Sequence, residues 1–189
     1  MNRLNWLLIC VLLIACTGIT SAQTKITDGH RRSSQVVDDW VTLWGKQLVG
    51  VADAMPADKY SFAPAGEGFI GVRTFAQQIK HAAATNYILA ASALGEKTPD
   101  DAGDETGPER VRTKADIIEY LKGSFVSLHQ AASAIDDENT LITSSPISPL
   151  QNKGTRLGFV IEALFHTANH YGQTLEYLRM NGVIPPASR

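Results

Sequence analysis

The chain has 189 residues, 17 of them basic and 19 acidic, for a net charge of −2. One domain is expected at that length, and a core large enough to stand without disulfides. Apolar residues at 44% and charged residues at 19% exclude a disordered chain, and the lack of a basic excess argues against a nucleic-acid binder.

The first residues read as an export signal. Arg3 gives a positive start, Leu4 to Ala15 is nearly unbroken apolar sequence, and Thr20-Ser21-Ala22 offers small residues for cleavage before Gln23. The apolar run is shorter than the roughly 20 residues that a transmembrane helix needs. Leu13-Ile14-Ala15-Cys16 also resembles a lipobox, which leaves lipoprotein processing at Cys16 as the alternative to cleavage after Ala22. Both cysteines, Cys10 and Cys16, fall in this segment. The mature chain from Gln23 then has neither a disulfide nor a thiolate, and a net charge of −3 (16 basic against 19 acidic). An exported protein, periplasmic or secreted, is the expectation.

Residues 23–32 form a polar tail, and 33–189 form the folded domain. Val37, Trp40, Val41, Trp44, Leu48, Val51 and Met55 recur every three or four residues, the stripe of a helix over 33–55 that Pro56 ends. Thr74 caps a second helix, with Phe75, Ile79, Ala82, Ala83, Tyr87, Ala90 and Leu94 on its stripe. Residues 95–112 hold three glycines, two prolines and six acids, without the ligand order of a calcium loop. They read as a solvated connection. Thr113 caps a third helix carrying Ile117, Leu121, Phe125, Leu128 and Ile135. After a polar stretch with Pro146 and Pro149, a fourth helix runs over 155–180 with Leu157, Val160, Ile161, Leu164, Ala168, Tyr171, Leu175 and Leu178. Asn181-Gly182 and Pro185-Pro186 stop it. No segment shows a sustained period of two, so the fold class is all-α, an antiparallel four-helix bundle.

The candidate chemistry lies in the histidines. His166 and His170 stand four apart on the fourth helix, on one face, where two imidazoles can reach one ion. His81 on the second helix is placed to add a third nitrogen. The neighbouring motifs fail on the residues. Thr167 stands where a zinc-protease helix has its Glu, there is no Glu-x-x-His pair for a di-iron bundle, and there is no Gly-x-Ser-x-Gly elbow. His30 lies in the polar tail, and His129 reads as a hydrogen-bonded residue at the core edge. Trp40, Trp44 and Tyr171 read as core aromatics, and Glu162 and Gln173 as members of the polar face of the fourth helix.

The order and spacing of these features resemble the DinB/YfiT-like bundles. The matching stretches are Met55-Pro56-Ala57-Asp58-Lys59-Tyr60, Arg73-Thr74-Phe75-Ala76-Gln77-Gln78-Ile79-Lys80-His81, and the run from His166 through Pro186. The likeness spans about residues 30–188. It implies four helices and a divalent metal held by His81, His166 and His170. It also implies a relation to thiol-dependent S-transferases and a maleylpyruvate isomerase. Those thiol-dependent enzymes work in the cytoplasm, so an exported chain departs from them in its access to a thiol cosubstrate. Two readings follow. One is a metal-dependent transferase or hydrolase acting on a small molecule through zinc, nickel, iron or manganese. The other is a non-catalytic metal-binding or stress-associated bundle. No stable membrane span is expected, and a homodimer is left open.

Overall fold

The computed structural model describes residues 31–102, 104–136, 147 and 154–188. The expected leader with Cys10 and Cys16, the tail as far as His30, and most of the connection before the last helix lie outside the described residues. Four helices carry the fold: α1 Ser33–Ala54, α2 Phe75–Leu94, α3 Lys114–Ser133 and α4 Arg156–Met180. Short 3₁₀ turns join them, and no strand occurs among the described residues. No helix there is long and apolar enough to cross a membrane.

The helix ends follow from local chemistry. The Thr74 hydroxyl accepts from the Gln77 amide, while the Gln77 side chain accepts from the Thr74 amide, a reciprocal cap on α2. Thr113 and Asp116 repeat the device on α3, and Thr155 caps α4 through the Gly158 amide. Gly95 closes α2 in the left-handed conformation at φ 72°. At the end of α1 the chain turns extended at Met55, immediately before Pro56.

The helices do not simply alternate in direction. Tyr60 donates to the Ala52 carbonyl near the end of α1, and its own carbonyl accepts from the Ala76 amide at the start of α2. Lys114, which opens α3, donates to the Asp53 and Met55 carbonyls. Tyr177, near the end of α4, donates to the Arg73 carbonyl. One pole of the bundle therefore gathers the C-terminal ends of α1 and α4 and the N-terminal ends of α2 and α3. Each of α1 and α2 packs against both α3 and α4. The neighbours α2 and α3 run parallel, as do α1 and α4, which corrects the expectation of a wholly antiparallel bundle.

Parallel neighbours require a return crossing. A 20-residue helix is about 30 Å long, and residues 95–113 supply the chain that travels back along it. Most of this crossover is exposed, as its composition suggests, but it is also anchored to the bundle. Ala102, Pro108 and Val111 are buried, and Lys80 of α2 donates to the Pro108 carbonyl.

The core is formed by Val41, Leu48, Val51, Phe75, Ile79, Leu121, Leu128, Phe159 and Leu178, all fully buried or nearly so. Two expected core positions face water instead: Trp40 and Ile161 are each 50% exposed. On α4 the inward face carries Ala163, Thr167, His170 and Thr174, so polar residues occupy its middle. Thr167 donates to the Asn86 side-chain oxygen, and the Asn86 amide donates to the Ser124 hydroxyl. This buried polar chain across α4, α2 and α3 fixes the rotation of α4 about its axis.

Candidate metal centre

One turn above that chain, α2 and α4 bring three imidazoles together. His81 and His170 are 4% and 6% exposed, and His166 is half-buried. The Nε2 atom of His166 lies 3.1 Å from Nε2 of His81 and 3.1 Å from Nε2 of His170. One ligand atom from each of the three lies within 4.8 Å of the others. Nitrogens ~2.1 Å from one tetrahedral ion stand ~3.4 Å apart. The donor set and its spacing fit a single divalent ion. The three residues expected from the sequence are thus brought together, and His129 is not among them. His129 instead faces Asp38 across the α1–α3 contact, Nδ1 to Oδ1 at 2.6 Å. His30 lies outside the described residues.

The outward nitrogens show how the inward ones are prepared. His81 Nδ1 donates to the Glu105 carbonyl at 2.9 Å. His170 Nδ1 donates to the Gln78 side-chain oxygen at 2.6 Å. A proton held on Nδ1 leaves the Nε2 lone pair free for a cation. The Gln78 amide donates onward to Gln173, whose amide donates to Asn169. The His166 Nδ1 is buried and has no hydrogen-bond partner.

Burial keeps these rings neutral. Desolvation, followed by the charges of His81 and Arg73, depresses His166 to about 4. Desolvation and then the neighbouring imidazoles and Arg73 depress His170 to about 3. His81 is also lowered, chiefly by desolvation, against an opposing contribution from its bond to the Glu105 carbonyl. Neutral imidazole is the form that binds metal, so protons compete weakly here at neutral pH.

Two of the supporting groups were not foreseen. Gln78 stands three residues before His81, on the same face of α2, and that spacing was a usable signal. The Glu105 carbonyl gave none, because it is a backbone group delivered by the crossover. Glu105 adopts φ 74°, a left-handed conformation unusual for a residue with a side chain. Its carboxylate reaches only to 3.8 Å from His81 Nδ1, on the side away from the cluster. Gln173 is exposed as expected, yet it joins the chain that orients His170. Tyr171 is half-buried and packs edge-on against Trp44, with 5.6 Å between ring centroids.

Comparison with known proteins agrees with the fold. The family model of the DinB superfamily matches residues 41–174. Among solved structures, one from Exiguobacterium sibiricum 255-15, assigned to the DinB family, aligns with a TM-score of 0.61 at 17% identity. The alignment covers 82% of this chain and 95% of that one. At that identity the likeness speaks for the fold. No curated protein matches the sequence.

Proposed function

This chain belongs to the DinB superfamily, and we propose that it holds one divalent metal ion through Nε2 of His81, His166 and His170 for chemistry on a small molecule. The observation that carries the reading is the convergence of the three Nε2 atoms, two of them with their outward nitrogens already committed to acceptors. Of the metals expected, zinc, nickel and iron suit a donor set of imidazoles, whereas manganese prefers oxygen ligands. Among the described residues no fourth His, Cys, Asp or Glu joins the cluster. Three protein ligands with open positions are the pattern of catalytic rather than closed structural sites.

When bound, such an ion supplies Lewis acidity and lowers the pKa of a water or other ligand placed on it. The chain's own contribution is positional. Glu105 and Gln78 hold two rings in one tautomer, and burial keeps all three imidazoles neutral. The small molecule would enter at the α2 N-terminal pole, where two cavities adjoin the cluster. Metal-assisted transfer or hydrolysis is the reaction class proposed. A non-catalytic metal-binding role is the second reading. It is favoured by the position of the Glu105 carboxylate, behind His81 rather than facing the Nε2 atoms. An exported location is proposed on the strength of Arg3, the apolar run from Leu4 to Ala15 and the small residues Thr20-Ser21-Ala22 before Gln23.

The test is elemental analysis of protein purified from its own exported fraction, followed by activity screening with that metal restored. A single equivalent of one metal is expected. His81→Ala, His166→Ala and His170→Ala should each abolish it, while His129→Ala should retain it. Equal loss from all four variants would reduce the binding to surface histidine chemistry and remove the proposal. Metal bound at full occupancy without turnover of any screened substrate would favour the second reading.

A further inference from the structure

Two cavities open beside the cluster and share Gly71 and Arg73 in their walls. The larger, of about 810 Å³, is lined mainly by Pro64, Phe69, Val72, Tyr177 and Met180, with Gln78 on the side of His170. The smaller, of about 390 Å³, contains His81 and Lys80. The larger volume suits a small organic ligand. Its rim leaves apolar groups in water: Phe69, Ile70, Val72 and Met180 all stand exposed at this end of the molecule. Exposed apolar side chains gathered at a cavity mouth mark a surface that a ligand covers.

Arg73 stands between the two cavities. Its main chain is fixed by the bond from Tyr177 to its carbonyl, at 2.9 Å. Among the described residues no ion pair is formed by its guanidinium. The nearby cations are otherwise engaged: Lys80 donates to the Pro108 carbonyl, and Arg179 pairs with Glu176, the acid of the larger cavity.

We propose that the Arg73 guanidinium anchors a carboxylate, and that the small molecule taken by this protein is an apolar monocarboxylate whose body fills the larger cavity. The proposal rests on the reading of this pole as the substrate pole. A planar guanidinium offers two parallel donors that match the two oxygens of a carboxylate. One unpaired cation matches one negative charge. A phosphate monoester would bring a second charge toward Glu176 and Glu109, which line the two cavities.

The experiment titrates octanoate, 1-octanol and octyl phosphate into the full chain by calorimetry, once after chelator treatment and once loaded with zinc. Zinc content is measured on the same samples. Octanoate should bind more tightly than the other two. Arg73→Gln should weaken octanoate at least about tenfold, the weight of a lost charge-assisted pair, and leave octanol unchanged. Arg73→Lys should fall between. Met180→Ala should weaken octanoate and octanol together. The proposal is overturned if octanoate binds no better than octanol, if octyl phosphate binds best, or if Arg73→Gln has no effect. It is also overturned if octanoate binding requires zinc and is indifferent to Arg73. Arg73-dependent octanoate binding in a chain that takes up no zinc would sink the metal reading alone. Zinc uptake without such binding would sink the carboxylate proposal alone.

Discussion

Gln78→Leu removes the acceptor that holds the His170 proton on Nδ1. Gln78 is 4% exposed and His170 6%, so water does not readily replace the amide. Leaving a buried donor unsatisfied costs ~1–3 kcal/mol. The ring has one escape, which is to move its proton to Nε2. That satisfies nothing outward and takes away the lone pair aimed at the ion. Either route weakens the metal site, and loss of an outer hydrogen bond to a ligand imidazole typically costs ~10–100-fold in affinity, or ~1.4–2.7 kcal/mol. The assay is competition for zinc against a chromophoric chelator, with circular dichroism to confirm the fold. Gln78→Leu should lie in that range. Gln173→Leu, one link further from the ring, should change affinity a few-fold at most, and Gln78→Glu should preserve it. An unchanged zinc affinity in a folded Gln78→Leu protein would refute the tautomer argument.

Four further outcomes are expected. In the metal-free protein, His166 and His170 titrate near 4 and 3, against 6.5 in the unfolded chain. As the pH falls below 6.5 the unfolded state takes up protons that the folded state refuses, so stability falls through that window. The melting temperature of chelator-treated protein should decline from pH 6.5 to pH 4, and His170→Ala should flatten the slope; a flat profile in the parent protein would contradict the burial argument. Gly172→Ala should stabilise the protein by about 0.5–1 kcal/mol in urea denaturation, because this glycine lies within α4 and an added Cβ meets nothing within 4 Å. Gly107→Ala should instead destabilise by about 1–2 kcal/mol, since φ is +72° and the Cβ would press on Tyr120 and Lys80. Deleting residues 100–106 should lower both the melting temperature and the zinc affinity, because the segment buries Ala102 and carries the Glu105 carbonyl; a variant with unaltered zinc affinity would show that the carbonyl is dispensable.

The four helices were legible because their caps and stops are local. Thr74, Thr113, Met55-Pro56 and Asn181-Gly182 each act within a few residues of their own position. The three histidines were legible for a related reason: His166 and His170 are fixed by helical spacing, and only His81 needed packing to meet them. What escaped was non-local. The rotation of α4 was misread at Ile161 because Thr167 and Thr174, fully buried, occupy the inward face where an apolar stripe would be sought. Thr167 is held there by Asn86, far away in sequence, while the Thr174 hydroxyl donates back to the His170 and Tyr171 carbonyls of its own helix. The direction of α3 was hidden for the same reason. Nothing in 95–112 distinguishes a tight turn from a full-length return, and the acids there mask the few residues that become buried.

That return leg has a consequence for how the site can change. The positions of the three nitrogens are set by α2 and α4, whose contacts run through the core. The donation at one of them, His81, is set by a carbonyl arriving on a turn-rich segment outside the helices. At His81, placement and strength of grip are therefore specified by different stretches of chain. A substitution between residues 100 and 108 can retune the pull on an ion while the scaffold stays put, and a core substitution can alter the scaffold without touching that dial. In this molecule affinity is adjustable from a connection as well as from the helices that carry the ligands.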